Sequence, residues 1–173
     1  MTMRRTPSAV LLIALSLTLV GCTGKKEDSV QPTETQTVAV ERVEQLVKDA
    51  TAQLPTGTTL KNNYRSNEGA CDDPTDNGRA GRIFVEHRYT VVAADNNGVW
   101  KSDLVIPPLA AYWEKQSFKV KNDSRTKPDP RYTVENPDGY FATIQGYDRG
   151  GYYDFTLTVG SPCIWPNGTP NPQ

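Results

Sequence analysis

The sequence predicts an α+β fold: an antiparallel sheet of about five to six strands with two helices packed on one face. Three observations predict it. Val40, Val43, Leu46, Val47, Ala50 and Leu54 recur at helical spacing with charged residues between them. Apolar and polar residues alternate along 82–93 and again along 153–159, the period of a half-buried strand. Short runs of strand-forming residues are then separated by Asn136-Pro137-Asp138-Gly139 and Asp148-Arg149-Gly150-Gly151, the chemistry of tight turns.

Taken in order, the chain begins with Arg4 and Arg5, an apolar run from Ala9 to Val20 and a small residue at Gly21. That order is the order of a secretory signal. The run would rise only about 18 Å as a helix, too short to cross a bilayer. Residues 1–21 therefore read as a signal peptide, and the remaining chain of about 150 residues suits one domain.

Leu19-Val20-Gly21-Cys22 closes the run and resembles the lipobox of bacterial lipoproteins. The resemblance implies cleavage before Cys22, lipid attachment through its thiol, and an anchor in the cell membrane on the extracytoplasmic face. At about 0.8 kcal/mol per buried methylene, two or three acyl chains hold stably.

Without Arg4 and Arg5 the chain is net acidic by about three charges, which offers no electrostatic footprint for nucleic acid. Beyond the acyl chains it adds no attraction to an acidic lipid surface either. With Cys22 lipidated, Cys71 and Cys163 remain as an even pair in an oxidising space. Their alternative is a pair of metal-ligating thiols, against which stand the absence of Cys-x-x-Cys and a single histidine in the chain. No metal or other cofactor is expected.

Residues 22–37 carry the lipidated cysteine and a polar tether, TGKKEDSVQPTETQT, without apolar period. Its reach is about 20 Å. The single domain is expected over 38–166, with 167–173 as a flexible tail. Its first helix takes Thr37 as N-cap, places Glu41 near the first turn and stops at Pro55 and Gly57. A strand over 58–65 follows, weakened by Asn62 and Asn63.

The loop CDDPTDNGRAG collects Asp72, Asp73, Asp76 and Asn77-Gly78. As an EF-hand loop it fails, because Thr75 and Phe84 stand where ligands are required. It reads as an ordinary turn, with a looser calcium or carbohydrate contact as the alternative.

The strand over 82–93 puts Ile83, Val85, His87, Tyr89 and Val91 on one face. A lone histidine on an apolar face reads as a hydrogen-bonded core residue rather than a base or ligand. Pro107-Pro108 starts a second helix, 107–116, because proline suits the first helical turn and disfavours helix just before it. That helix buries Leu109, Tyr112 and Trp113, and strands over 118–121, 131–135, 140–145 and 153–159 complete the sheet.

The close, Ser161-Pro162-Cys163-Ile164-Trp165-Pro166, adds to the lipobox, the Tyr112-Trp113 helix and the Pro-Asp-Gly hairpin. Together they are similar to small actinobacterial surface lipoproteins of unassigned function. The resemblance implies extracytoplasmic anchoring and a Cys71–Cys163 disulfide, and it carries over no catalytic residue.

No Gly-x-Ser-x-Gly and no glycine-rich phosphate loop occurs, and His87 would be the sole base for a serine triad. The expected function is accordingly a non-catalytic binding module for an envelope protein or glycan. The alternatives are a carrier of lipid in a cavity between helices and sheet and, last, a hydrolase with His87 beside an acid in an open cleft. Tyr147 and Tyr152, turned outward beside glycines, form the candidate binding surface. The competing role of these rings is to pack the sheet or its edge.

Overall fold

In the computed structural model, which describes residues 33–71, 81–101 and 103–170, the first helix, α1, spans Gln36–Thr51. Its N-cap is Thr35, whose hydroxyl accepts from the Val38 N–H, and not Thr37. Thr35 offers the same oxygen two residues earlier, and the Gln36 N–H is met by the Pro166 carbonyl at 3.0 Å. Glu41 consequently lies beyond the first turn, which holds no acidic residue. Ala39, Val43, Val47 and Ala50 form the buried stripe.

Strand β1, Thr59–Ala70, runs past the expected end at Arg65. It pairs antiparallel with β2, Ile83–Val92, from Thr59 opposite Val92 to Ala70 opposite Ile83. Two register irregularities, at Asn62/Tyr64 and Ser66/Gly69, absorb its additional residues. Pairing with a strongly patterned neighbour overrides the weak propensity of the two asparagines.

Helix α2 spans Ile106–Lys115, with the two prolines in its first turn. Val105 supplies no side-chain cap, and the Asp103 carboxylate accepts from the Ile106 N–H at 3.3 Å instead. Strands β3 (Lys119–Asp123), β4 (Arg131–Glu135), β5 (Phe141–Asp148) and β6 (Tyr153–Gly160) follow. The sheet order is β1-β2-β6-β5-β4-β3, every neighbouring pair being antiparallel. This is the α+β fold expected, an open six-stranded sheet with two helices.

One face of the sheet and both helices share a single core. Val85, Val91, Ile144, Phe155, Leu157 and Val159 point into it from the strands, and Val43, Leu109 and Trp113 from the helices. Trp113 stacks on Tyr132 of β4 with centroids 6.3 Å apart. The Tyr132 hydroxyl donates to Glu114, and burial together with this carboxylate pushes its pKa up to about 12.

The two ends of the described chain are clasped. Thr33 N–H donates to the Gly168 carbonyl at 2.8 Å, the Thr33 hydroxyl accepts from the Trp165 N–H at 2.7 Å, and Thr35 bridges to Asn167. Residues 33–37, read from the sequence as the end of the tether, and 167–168, read as tail, thus belong to the folded unit. Glu34 takes the Tyr140 hydroxyl and an ion pair from Arg42 at 3.2 Å, which fastens α1 to the turn before β5.

Cys71 and Cys163 are joined as a disulfide, their Cα atoms 5.8 Å apart and 92 residues apart in sequence. Cys22 and the aspartates of 72–76 lie outside the described residues. Among the described residues no helix is long and apolar enough to cross a membrane.

Candidate binding face

Because side chains alternate along a strand, the face opposite the helices collects every second residue of the central strands. In β5, Ala142 and Ile144 enter the core while Phe141, Thr143, Gln145 and Tyr147 point the other way; in β6, Thr156 and Thr158 do the same. Register then lays these residues out in transverse rows. One row reads Arg131, Gln145, Thr156, Thr90, and the next reads Thr133, Thr143, Thr158, Arg88, Tyr64.

The rows form the floor of an open groove of about 490 Å³. Its lining is dominated by hydroxyl, amide and guanidinium groups, with Tyr64, Phe141 and Tyr147 as the rings. Phe141 lies over Gly160 of β6, where an added Cβ would run into the ring and approach the Val85 carbonyl to 3.1 Å. The floor itself is closely packed: Thr143 is only 6% exposed, and its hydroxyl meets that of Thr133 at 3.0 Å.

Charges are arranged around these rings. The Arg88 guanidinium lies 5.5 Å from the Tyr64 centroid and donates to Glu86 at 2.9 Å. Arg149 lies 5.4 Å from the Tyr147 centroid and donates to Asp154 at 2.8 Å. Arg131 donates only to the Thr133 hydroxyl, at 3.4 Å, and has no carboxylate within ion-pair distance among the described residues.

Of the two tyrosines singled out from the sequence, Tyr147 lines the groove and is half-buried. Tyr152 sits in the turn between β5 and β6, 37% exposed, and is not part of the groove lining. The structure therefore does not bring the pair into one site. It instead brings Tyr147 together with Tyr64 and Arg131, residues from three different strands. Nothing in the local sequence singles out Arg131 or Tyr64, since each reads as an ordinary solvent-face residue of its strand.

His87 points into the core, fully buried, as the alternation of β2 predicts. Its Nε2 lies 3.0 Å from Asn67 Oδ1, and among the described residues no group partners its Nδ1. Burial lowers its pKa below the ordinary histidine value, and Arg65 lowers it further against a smaller opposing pull from Glu44.

A second depression, about 250 Å³, is lined by Pro55, Trp100 and Leu104 where the end of α1 meets the loop after β2. Neither depression lies between the helices and the sheet. Among the described residues no group of three or more His, Cys, Asp and Glu could hold a metal ion. No protein-family model, no curated protein and no solved structure matches this chain.

Proposed function

We propose that the protein is a non-catalytic binding module of the cell envelope, held to the extracytoplasmic face of the membrane by lipid on Cys22, with the open sheet face as its receptor surface. The observation that carries this reading is the polar groove opposite the helices. A face left bare by both helices, floored by ordered threonines and walled by tyrosine rings, offers hydrogen bonds and apolar area to a ligand at once. The groove is on the face and not the edge of the sheet, so recognition there depends on side chains rather than on added strand pairing.

The signal order of residues 1–21, the lipobox ending at Cys22 and the polar tether support the membrane anchor and an envelope setting. Likeness to small actinobacterial surface lipoproteins, seen in the lipobox and the Ser-Pro-Cys-x-Trp-Pro close, points to the same compartment. The module reading is preferred to that of a lipid carrier because the layer between helices and sheet is occupied by Trp113, Phe155, Ile144 and Leu157.

Full-length protein from its own host, in detergent, tests the proposal by retention on washed envelope material. Thr158→Trp, which fills the floor without adding charge, should lower retention by about tenfold or more with the fold intact by circular dichroism, the scale of one lost binding residue. Tyr152→Ala should bind as the native chain does. Equal retention of Thr158→Trp and the native protein would remove the groove as the receptor surface. Cys22→Ala should shift the protein out of the membrane fraction.

A further inference from the structure

We infer that the occupant of this groove is a glycan bearing carboxylate groups, with the Arg131 guanidinium, set at the end of the row of Gln145 and Thr156, as the group that reads its charge. The inference rests on the binding-face reading above and names the ligand class.

Three features of the groove argue for it. First, the floor presents hydroxyl and amide groups on neighbouring strands, Thr156 and Thr158 on β6 and Gln145 on β5, the strands roughly 4.8 Å apart. Such a lattice suits a polyhydroxylated chain lying across the strands. A protein partner would instead call for an apolar centre, whereas among the described residues Tyr64 is the one large exposed hydrophobic side chain in the groove, Val38, Leu104, Val120 and Tyr152 lying outside it.

Second, Tyr64 and Tyr147 are each backed by an arginine that lies over the ring, Arg88 and Arg149. Each arginine also donates to a carboxylate, Glu86 and Asp154, which fixes the stacked pair. The rings are thereby held as walls, at little further cost in side-chain freedom when a sugar packs on them.

Third, the charge balance of the lining is positive. Glu86 is committed to Arg88, and no other carboxylate lines the groove. Arg131 keeps its paired Nη donors available, bound through Nε only to the Thr133 hydroxyl. A guanidinium fork of this kind matches a carboxylate with two parallel hydrogen bonds.

The test uses the full-length protein and three carboxylated probes, oligomers of galacturonate, of alginate and of hyaluronan, each beside its methyl ester, with poly(glycerol phosphate) as the phosphate control. At least one carboxylated probe should bind, and both its methyl ester and Arg131→Gln should weaken binding by about tenfold or more, the scale of one lost charge-assisted pair. Arg131→Gln should then no longer tell acid from ester. Arg131→Lys, which keeps charge and loses the fork, should fall between, and Tyr147→Ala should weaken acid and ester alike.

Acid and ester binding equally, or Arg131→Gln binding like the native protein, overturns the inference, and so does a preference for the phosphate polymer. Failure of every glycan to bind, with envelope retention still lowered by Thr158→Trp, overturns the carboxylate ligand and leaves the receptor face standing. Failure of every glycan with retention indifferent to Thr158→Trp removes both.

Discussion

His87 is held in one ionisation state by what surrounds it. With Asn67 Oδ1 accepting from Nε2, the neutral ring carries its proton there and leaves Nδ1 bare in the core. A second proton would bury a charge beside Arg65 without an acceptor for the new N–H. The folded pKa is therefore below the unfolded one, so the unfolded chain binds more protons between the two values. Stability is fully present above about pH 6.5, the unfolded value, and is lost as pH falls through the folded one. Unfolding free energies from urea titrations should accordingly drop between pH 7.5 and 5.5, by at most about 1.4 kcal/mol per pH unit for this one group. His87→Gln, which keeps a donor for Asn67, should flatten that slope; an unchanged slope would assign the loss to other groups. The direction of His87 is legible in the alternation of its strand. Its partner is not, because Asn67 sits in the irregular stretch between Ser66 and Gly69, where counting by twos no longer reports a face.

At the scale of elements, α2 shows how two prolines can define a helix whose first turn lacks a side-chain cap from its own N-cap residue. Its hold on the sheet comes from Ile106, Leu109, Ala110 and Trp113, all buried. Leu109→Ala should cost about 2 to 5 kcal/mol in urea unfolding, the range for emptying a core leucine site. Leu104→Ala, at a side chain 58% exposed just before the helix, should stay within about 0.5 kcal/mol. Equal costs would mean that α2 is not docked through Leu109. Both helices, the hairpin at Pro137-Asp138-Gly139 and the closing strand are legible because each is written in local pattern: helical spacing, proline placement, turn chemistry. Gly139, for instance, takes a φ of +85°, which the turn requires and glycine supplies. The groove is illegible for the opposite reason. Tyr64, Arg88, Thr143 and Thr158 become neighbours only through the sheet order, with β6 inserted between β2 and β5. Each alone is a polar or aromatic residue on the wet side of a strand.

For the whole molecule, the Cys71–Cys163 bond closes a loop that contains every strand except β1. On the chain-entropy account, reduction should lower unfolding free energy by about 2 to 5 kcal/mol, and the comparison of urea midpoints with and without reductant checks it. A shift near zero would mean that the reduced unfolded chain is already constrained. The clasp of Thr33 on Trp165 and Gly168 has a mechanical meaning as well. With the anchor proposed at Cys22, any movement of a bound partner relative to the membrane pulls on the chain at Thr33. The clasp is the first joint in that line and, made of a few hydrogen bonds, the first to open; α1 and then β1 would peel next. Extension then meets a covalent stop at Cys71, because the two ends of the loop beyond it cannot separate. Four of the five strands that line the groove, β2, β4, β5 and β6, lie inside that loop. On the proposed anchor and receptor face, the protein would have a yielding end and a locked grip, so that tension would spend itself on the N-terminal side before it reached the groove.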